Sequence, residues 1–179
     1  MTSTKAVIPA LGVDHVPRAA LVVRAFNVAP DDPHPLLVAA VGLAAQHRVR
    51  AQAHRVTCDR AADDHVVAAA ARAVNAADSA CAGLVDQIDQ WSAVVLPRPR
   101  TAAVHTETLG ELVNRLAAGW VRWHLLAAHD GRAAARRRVG EAFRQLGELT
   151  VGYDDLVADL VSGRRRLPQH QMSTSPAAA

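Results

Sequence analysis

The chain has 179 residues, of which 20 are basic and 17 acidic, for a formal charge of +3. That length suits one domain with a real core, and so small a net charge supplies no strong positive field for a polyanionic partner. Half of the residues are apolar, yet only 3% are aromatic and 38 are alanine. This composition suits closely packed helices and excludes a typical sheet core, which draws on β-branched and aromatic residues.

In chain order, residues 1–13 read as a flexible arm, followed by a single helical domain over 14–172 and a disordered tail over 173–179. A short first helix is predicted from Pro17 to Val28, with proline in its first turn. The segment Pro30-Asp-Asp-Pro-His-Pro35 breaks the chain, and Pro35 opens a second helix that runs from Leu36 to about Ala62. Asp63 or Asp64 caps a third helix that ends near Trp91. Pro97-Arg-Pro99 marks the next loop. The fourth helix starts at Thr108, because Thr108-Leu-Gly-Glu111 is a capping-box pattern, and ends near His129-Asp-Gly131. The fifth runs from about Ala133 to Ser162, with Gly163 suited to the position just past its end.

Helix three carries a regular seam of Val67, Ala70, Val74, Ala77, Cys81, Leu84, Ile88 and Trp91. Helix five repeats it with Val139, Ala142, Phe143, Leu146, Leu149, Tyr153, Leu156 and Leu160. Seams of this period pack against other helices. The fold expected is all-α: an antiparallel bundle of four long helices plus a short N-terminal helix.

Lys5 is the only lysine among the basic residues. Arginine for lysine with heavy alanine use is what a GC-rich coding sequence produces, so the arginine excess says little about guanidinium chemistry. Cys58 and Cys81 fall in predicted helices and read as reduced thiols. Met1 to Val16 is interrupted by Pro9, Gly12 and Asp14, unlike a secretion signal. The longest apolar run, Pro35 to Ala45, is too short to span a bilayer. A soluble, cytoplasmic protein without a membrane partner is expected.

Helix two changes character along its length. Leu36, Ala40, Leu43, His47, Ala51, His54 and Cys58 share one arc, so an aliphatic stripe becomes one of His, Ala, His and Cys. Buried imidazoles require hydrogen-bond partners or a ligand. His47 and His54 lie about 10 Å apart along the helix axis, too far for easy joint ligation. No Cys-x-x-Cys, His-Glu-x-x-His or Glu-x-x-His pattern supports a metal cage, so no metal site is assigned and the cofactor stays open. On helix four, Leu109, Leu112, Val113, Leu116, Trp120 and Trp123 form the apolar arc and His124 sits at its rim. Glu111 and Arg115 stand in the favourable order for an ion pair on the other side.

His105-Thr-Glu107-Thr108-Leu-Gly110, followed by Arg115-Leu116 and Arg122-Trp-His124, resembles the signature of the bacterial family known as domain of unknown function 4254. There a Glu-Thr-x-Gly turn leads into a helix carrying Asp-Arg-Leu and then Lys-x-x-His. The resemblance extends from Leu36 to Met172. His54 and Arg60 match a Trp-His-x-Glu-Asp-x-Ala-Arg run, with Ala53 in place of the tryptophan and Val56 and Thr57 in place of the acidic pair. Asp78 and Cys81-Ala-Gly83 depart from the family's Asn and Arg-Asn-Asp. Gly163-Arg-Arg through Gln169-His-Gln171-Met172 resembles its closing basic segment, without the Lys-Met-Tyr-Asn ending. The resemblance implies a helical fold and implies no reaction. Of the family's polar residues this chain keeps His54, Arg60, Glu107, Arg115 and His124.

Three functions follow as expectations. The first is a small-molecule-binding or tailoring protein, in a setting such as secondary metabolism, with a pocket between helices two and four. His54 and His124 are its candidate proton-transfer residues, and His47, Arg60, Glu107, Arg115, Trp120 and Trp123 its candidate binding residues. The second is a non-enzymatic helical assembly protein, with one heptad seam pairing with a second copy. The third, nucleic-acid binding through Arg136 to Arg138 and Arg164 to Arg166, is disfavoured because those runs lack interleaved aromatics and any recognised motif.

Overall fold

The computed structural model describes residues 16–31, 33–128 and 133–168. The arm expected over 1–13 and the tail over 173–179 lie outside the described residues. Five helices follow in order: α1 (Ala19–Ala25), α2 (Pro35–Thr57), α3 (Asp64–Val95), α4 (Leu109–Ala127) and α5 (Ala133–Val161). Two short strands, β1 (Ala103–Val104) before α4 and β2 (Arg165–Arg166) after α5, pair in parallel. Helix accounts for 74% of the described residues, which makes the class all-α.

The helix ends follow from local chemistry. Pro35 takes the first turn of α2, and the His34 ring accepts from the Leu36 amide at 3.2 Å. The helix stops at Thr57, short of the expected Ala62, because the Asp59 carboxylate accepts from the Ala61 amide and closes a turn of its own. Short polar side chains compete with the helix in this way. Helix α3 continues past Trp91 to Val95, and Leu96 is extended, as the residue before Pro97 must be. Asp63 occupies the N-cap of α3 without a side-chain capping bond.

The capping box of α4 forms as expected: Thr108 Oγ1 accepts from the Glu111 amide at 3.1 Å, and Glu111 Oε2 accepts from the Thr108 amide at 2.8 Å. The end expected for α4 at residues 129–131 lies outside the described residues. At the end of α5, Gly163 has φ +72°, the Gly163 amide donates to the Leu160 carbonyl and the Arg164 amide to the Asp159 carbonyl. These two bonds define a Schellman turn. The turn delivers Arg165 and Arg166 to the strand ahead of α4, where the His105 amide donates to the Arg166 carbonyl at 2.8 Å. The sequence predicts no strand, because two-residue strands carry no periodicity to detect.

Helix α1 is shorter than Pro17 to Val28 and is held by α5. Tyr153, fully buried, donates to the Pro17 carbonyl at 2.9 Å, and Asp154 accepts from the Ala19 amide at 2.8 Å. Helix α2 packs on α3 and α4, α3 on α4, and α4 on α5. Leu36, Leu43, Ile88, Leu109, Val113, Leu116 and Leu160 are almost wholly enclosed where these helices meet. The seam of α3 buries Ala70, Ala77, Cys81 and Ile88. That of α5 buries Ala142, Leu146, Tyr153, Leu156 and Leu160 but leaves Phe143 60% exposed.

Helices α3 and α4 approach closely where α4 begins. The Gly110 amide donates to Asp89 Oδ1 of α3 at 2.7 Å, in a buried position. A Cβ on Gly110 would lie 2.5 Å from the Val85 carbonyl oxygen and 2.9 Å from Asp89 Oδ1. Only glycine lets the two backbones approach so closely. Gly110→Ala should therefore lower unfolding free energy in urea by about 2 kcal/mol or more. Gly140→Ala on α5, where an added Cβ meets nothing within 4 Å, should raise it by about 0.5 kcal/mol or more.

Candidate functional site

The buried stripe of α2 leaves the core after His47. Leu36, Ala40 and Leu43 are enclosed and His47 is 8% exposed, whereas His54 and Cys58 are exposed. Where the stripe opens, a cleft of about 690 Å³ lies between α2, α4 and the start of α5. Helix α2 contributes His47, Arg50, Ala51, His54 and Arg55, spaced three or four apart as one helix face requires. Helix α4 faces them with Ala118, Val121, Arg122, Leu125 and Leu126, and α5 adds Ala135 and Arg138.

The floor of this cleft is apolar and its rim is basic. Among the described residues no carboxylate lines it. Arg50 is engaged by Asp78 at 3.2 Å, and Arg122 donates to the Gln145 side chain at 3.4 Å. Arg55 and Arg138 have no hydrogen-bond or ion-pair partner among the described residues. His47 Nε2 donates to Asn114 Oδ1 at 2.7 Å, which satisfies the one buried histidine among the described residues. His54 stands at the cleft with its ring exposed.

Of the candidate residues, the cleft brings together His47 and His54. Trp120, Trp123 and His124 lie on the opposite side of α4, since at roughly 100° per residue they point away from Ala118, Val121 and Leu125. There the Trp120 ring centroid is 3.9 Å from His124 and 6.0 Å from Phe26, with the Arg48 guanidinium 4.9 Å over it. Arg48 also donates to the Phe26 carbonyl. Trp123 contacts His124 and Phe143. Burial, and then the nearby Arg48 charge, hold His124 below the ordinary imidazole value.

Arg60 is exposed in the turn after α2, outside the cleft. Arg115 pairs with Glu107 at 2.6 Å rather than with Glu111, whose carboxylate is taken by the capping box. The pairing expected from i,i+4 spacing on α4 thus gives way to a cap bond. His54 and Cys58 belong to no potential metal-binding group of three or more among the described residues. Cys81 is buried and its thiol is pushed up, first by burial and then by Asp78, against a smaller opposing effect of Arg50.

The sequence alone does not place Arg50, Arg55, Arg122 or Arg138 in this cleft, Arg138 being read only within the run Arg136 to Arg138 and Arg122 only within the family pattern, nor does it mark the apolar floor Val121, Leu125 and Leu126. One signal was present: Arg50 and Arg55 share the arc of His47 and His54. Residue types alone could not show that α5 would bring Arg138 to the same opening.

Fold and site together define an all-helical protein with an apolar, arginine-rimmed cleft between three helices. The chain belongs to the family described as protein of unknown function (DUF4254), whose profile matches residues 41–169. That match lies within Leu36 to Met172, the span of the resemblance in the sequence. No curated protein and no solved structure matches the chain. No helix among the described residues is long and apolar enough to cross a membrane.

The His124 environment makes a pH prediction. A depressed folded-state value favours the neutral ring, so the contribution to stability is present above the ordinary value of 6.5 and fades as pH falls through the lowered one. In an NMR titration His124 should give a midpoint below 6.5, and Arg48→Gln should move it upward. A midpoint at or above the ordinary value would contradict this environment.

Proposed function

We propose that the chain is a small-molecule-binding protein whose cleft between α2, α4 and α5 takes an organic anion with an apolar body. One observation carries the reading. Ala51, Ala118, Val121, Leu125 and Leu126 form an apolar surface, while Arg50, Arg55, Arg122 and Arg138 ring it, with no lining carboxylate among the described residues. Arginine forks recognise carboxylate or phosphate geometry, and the apolar floor excludes water from the rest of the ligand. Arg55 and Arg138 are the anion clamp, in place of Arg60 and of Arg115, which Glu107 engages. His54 is the group for any proton transfer in the cleft; His47 positions through Asn114. A tailoring reaction of secondary metabolism is the proposed setting, on composition. The helix pairings and short links also support reading the four long helices as an antiparallel bundle.

Octanoate serves as a probe, with octylamine as its cationic counterpart. Octanoate should raise the melting temperature in a saturable manner and octylamine should not. Arg55→Gln combined with Arg138→Gln should weaken octanoate by about tenfold or more. Equal stabilisation by both probes, or an unchanged octanoate response in the double variant, would remove the anion-binding reading.

A second reading, self-assembly, has its own observation. On α5, Phe143 and Val151 are 60% and 63% exposed, four residues on either side of Gly147. A two-fold axis at Gly147 would set Phe143 of one copy against Val151 of a second. If this face joins two copies, Val151→Asp should convert a dimer to a helical monomer in analytical ultracentrifugation. A wild-type chain that stays monomeric at high micromolar concentration would exclude the face.

A further inference from the structure

A second basic recess lies at the other end of α4, where the chain enters that helix. It measures about 260 Å³ and is lined by Arg98, Arg100, Arg166 and Leu167. Three permanent cations converge there, and no lining residue among those described is acidic. The nearby carboxylate is already used: Asp159 pairs with Arg164 at 2.7 Å and with Arg165 at 3.1 Å. Arg166 differs from its two neighbours in the run. Its Nε is shut off from solvent and has no hydrogen-bond partner among the described residues.

The recess is held by backbone rather than by mobile side chains alone. Arg166 lies in β2, in register with Val104, and its carbonyl accepts from the His105 amide. The turn at Gly163 sets the approach of that strand. Pro97 and Pro99 flank Arg98, and the Ala102 amide closes a turn onto the Pro99 carbonyl. Like charges held together in this way repel one another, and a buried guanidinium N–H without an acceptor carries a desolvation cost. An oxyanion relieves both.

We propose that Arg98, Arg100 and Arg166 form a binding site for the phosphate group of a small phosphorylated molecule. The charge of a phosphate group, close to two, and its three free oxygens match three guanidinium forks better than a singly charged carboxylate does. The site is independent of the cleft in position and in residues.

Calorimetric titration at constant ionic strength tests it, with inorganic phosphate as the probe and acetate as the comparison anion. Wild-type protein should bind one phosphate per chain saturably and more tightly than acetate. Arg98→Gln and Arg166→Gln should each weaken phosphate by about tenfold or more. Arg55→Gln, in the cleft, should leave phosphate binding unchanged, so that failure here and failure of the cleft reading are told apart. Arg98 is exposed, so its variant decides the matter if Arg166→Gln alters the helical circular dichroism. Unsaturable binding, acetate bound as tightly as phosphate, or loss of phosphate in Arg55→Gln with retention in Arg98→Gln would overturn the proposal.

Discussion

The hydrogen bond from the Gly110 amide to the Asp89 carboxylate is the contact on which the arrangement of α4 depends. It places a carboxylate of α3 against the first turn of α4, where unsatisfied amides and the helix dipole favour negative charge. The Thr108–Glu111 box satisfies other amides of the same turn from within the segment. Two caps, one local and one contributed by α3, therefore set where α4 starts and which way its faces turn. The absence of a side chain at Gly110 is what permits the crossing, because the Val85 carbonyl lies where a Cβ would be.

Once α4 is oriented, its two sides acquire different roles. One side closes the cleft with Ala118, Val121, Arg122, Leu125 and Leu126; the other carries Trp120, Trp123 and His124 against Phe26, Arg48 and Phe143. Alternate faces of a single helix thus serve an open, arginine-rimmed surface and a packed aromatic one. Helix α2 shows the same division lengthwise: its first half is core, and its second half opens at His47 into the cleft. The polar character of that second half reflects the loss of a covering helix there.

The end of α5 provides the other anchor. Tyr153 and Asp154 tie it to α1, and the Schellman turn at Gly163 returns the chain to pair with the strand preceding α4. The arginines that follow the turn are thereby sorted. Arg164 and Arg165 meet Asp159, while Arg166 is carried into the recess beside Arg98 and Arg100. Arg165 and Arg166 receive distinct environments because the extended backbone of β2 sends successive residues to opposite faces.

The all-α class, the helix starts at Pro35 and Thr108, the stop at Gly163 and the buried seam of α3 were legible in the sequence, since each rests on interactions within a few residues. The early end of α2 at Thr57, ahead of the Asp59 turn, and the loss of the expected Glu111–Arg115 pair arose where local interactions competed. Grouping His54 with Trp120 and His124 rested on residue types, and helical phase separates them around α4. By itself the sequence determined which segments are helical and which residues belong to the family pattern, because periodicity and capping are encoded at short range. Only the tertiary structure decided which helix faces meet, that Arg138 joins Arg55 and that Arg166 joins Arg98, because each of those pairs is assembled from segments far apart in the chain.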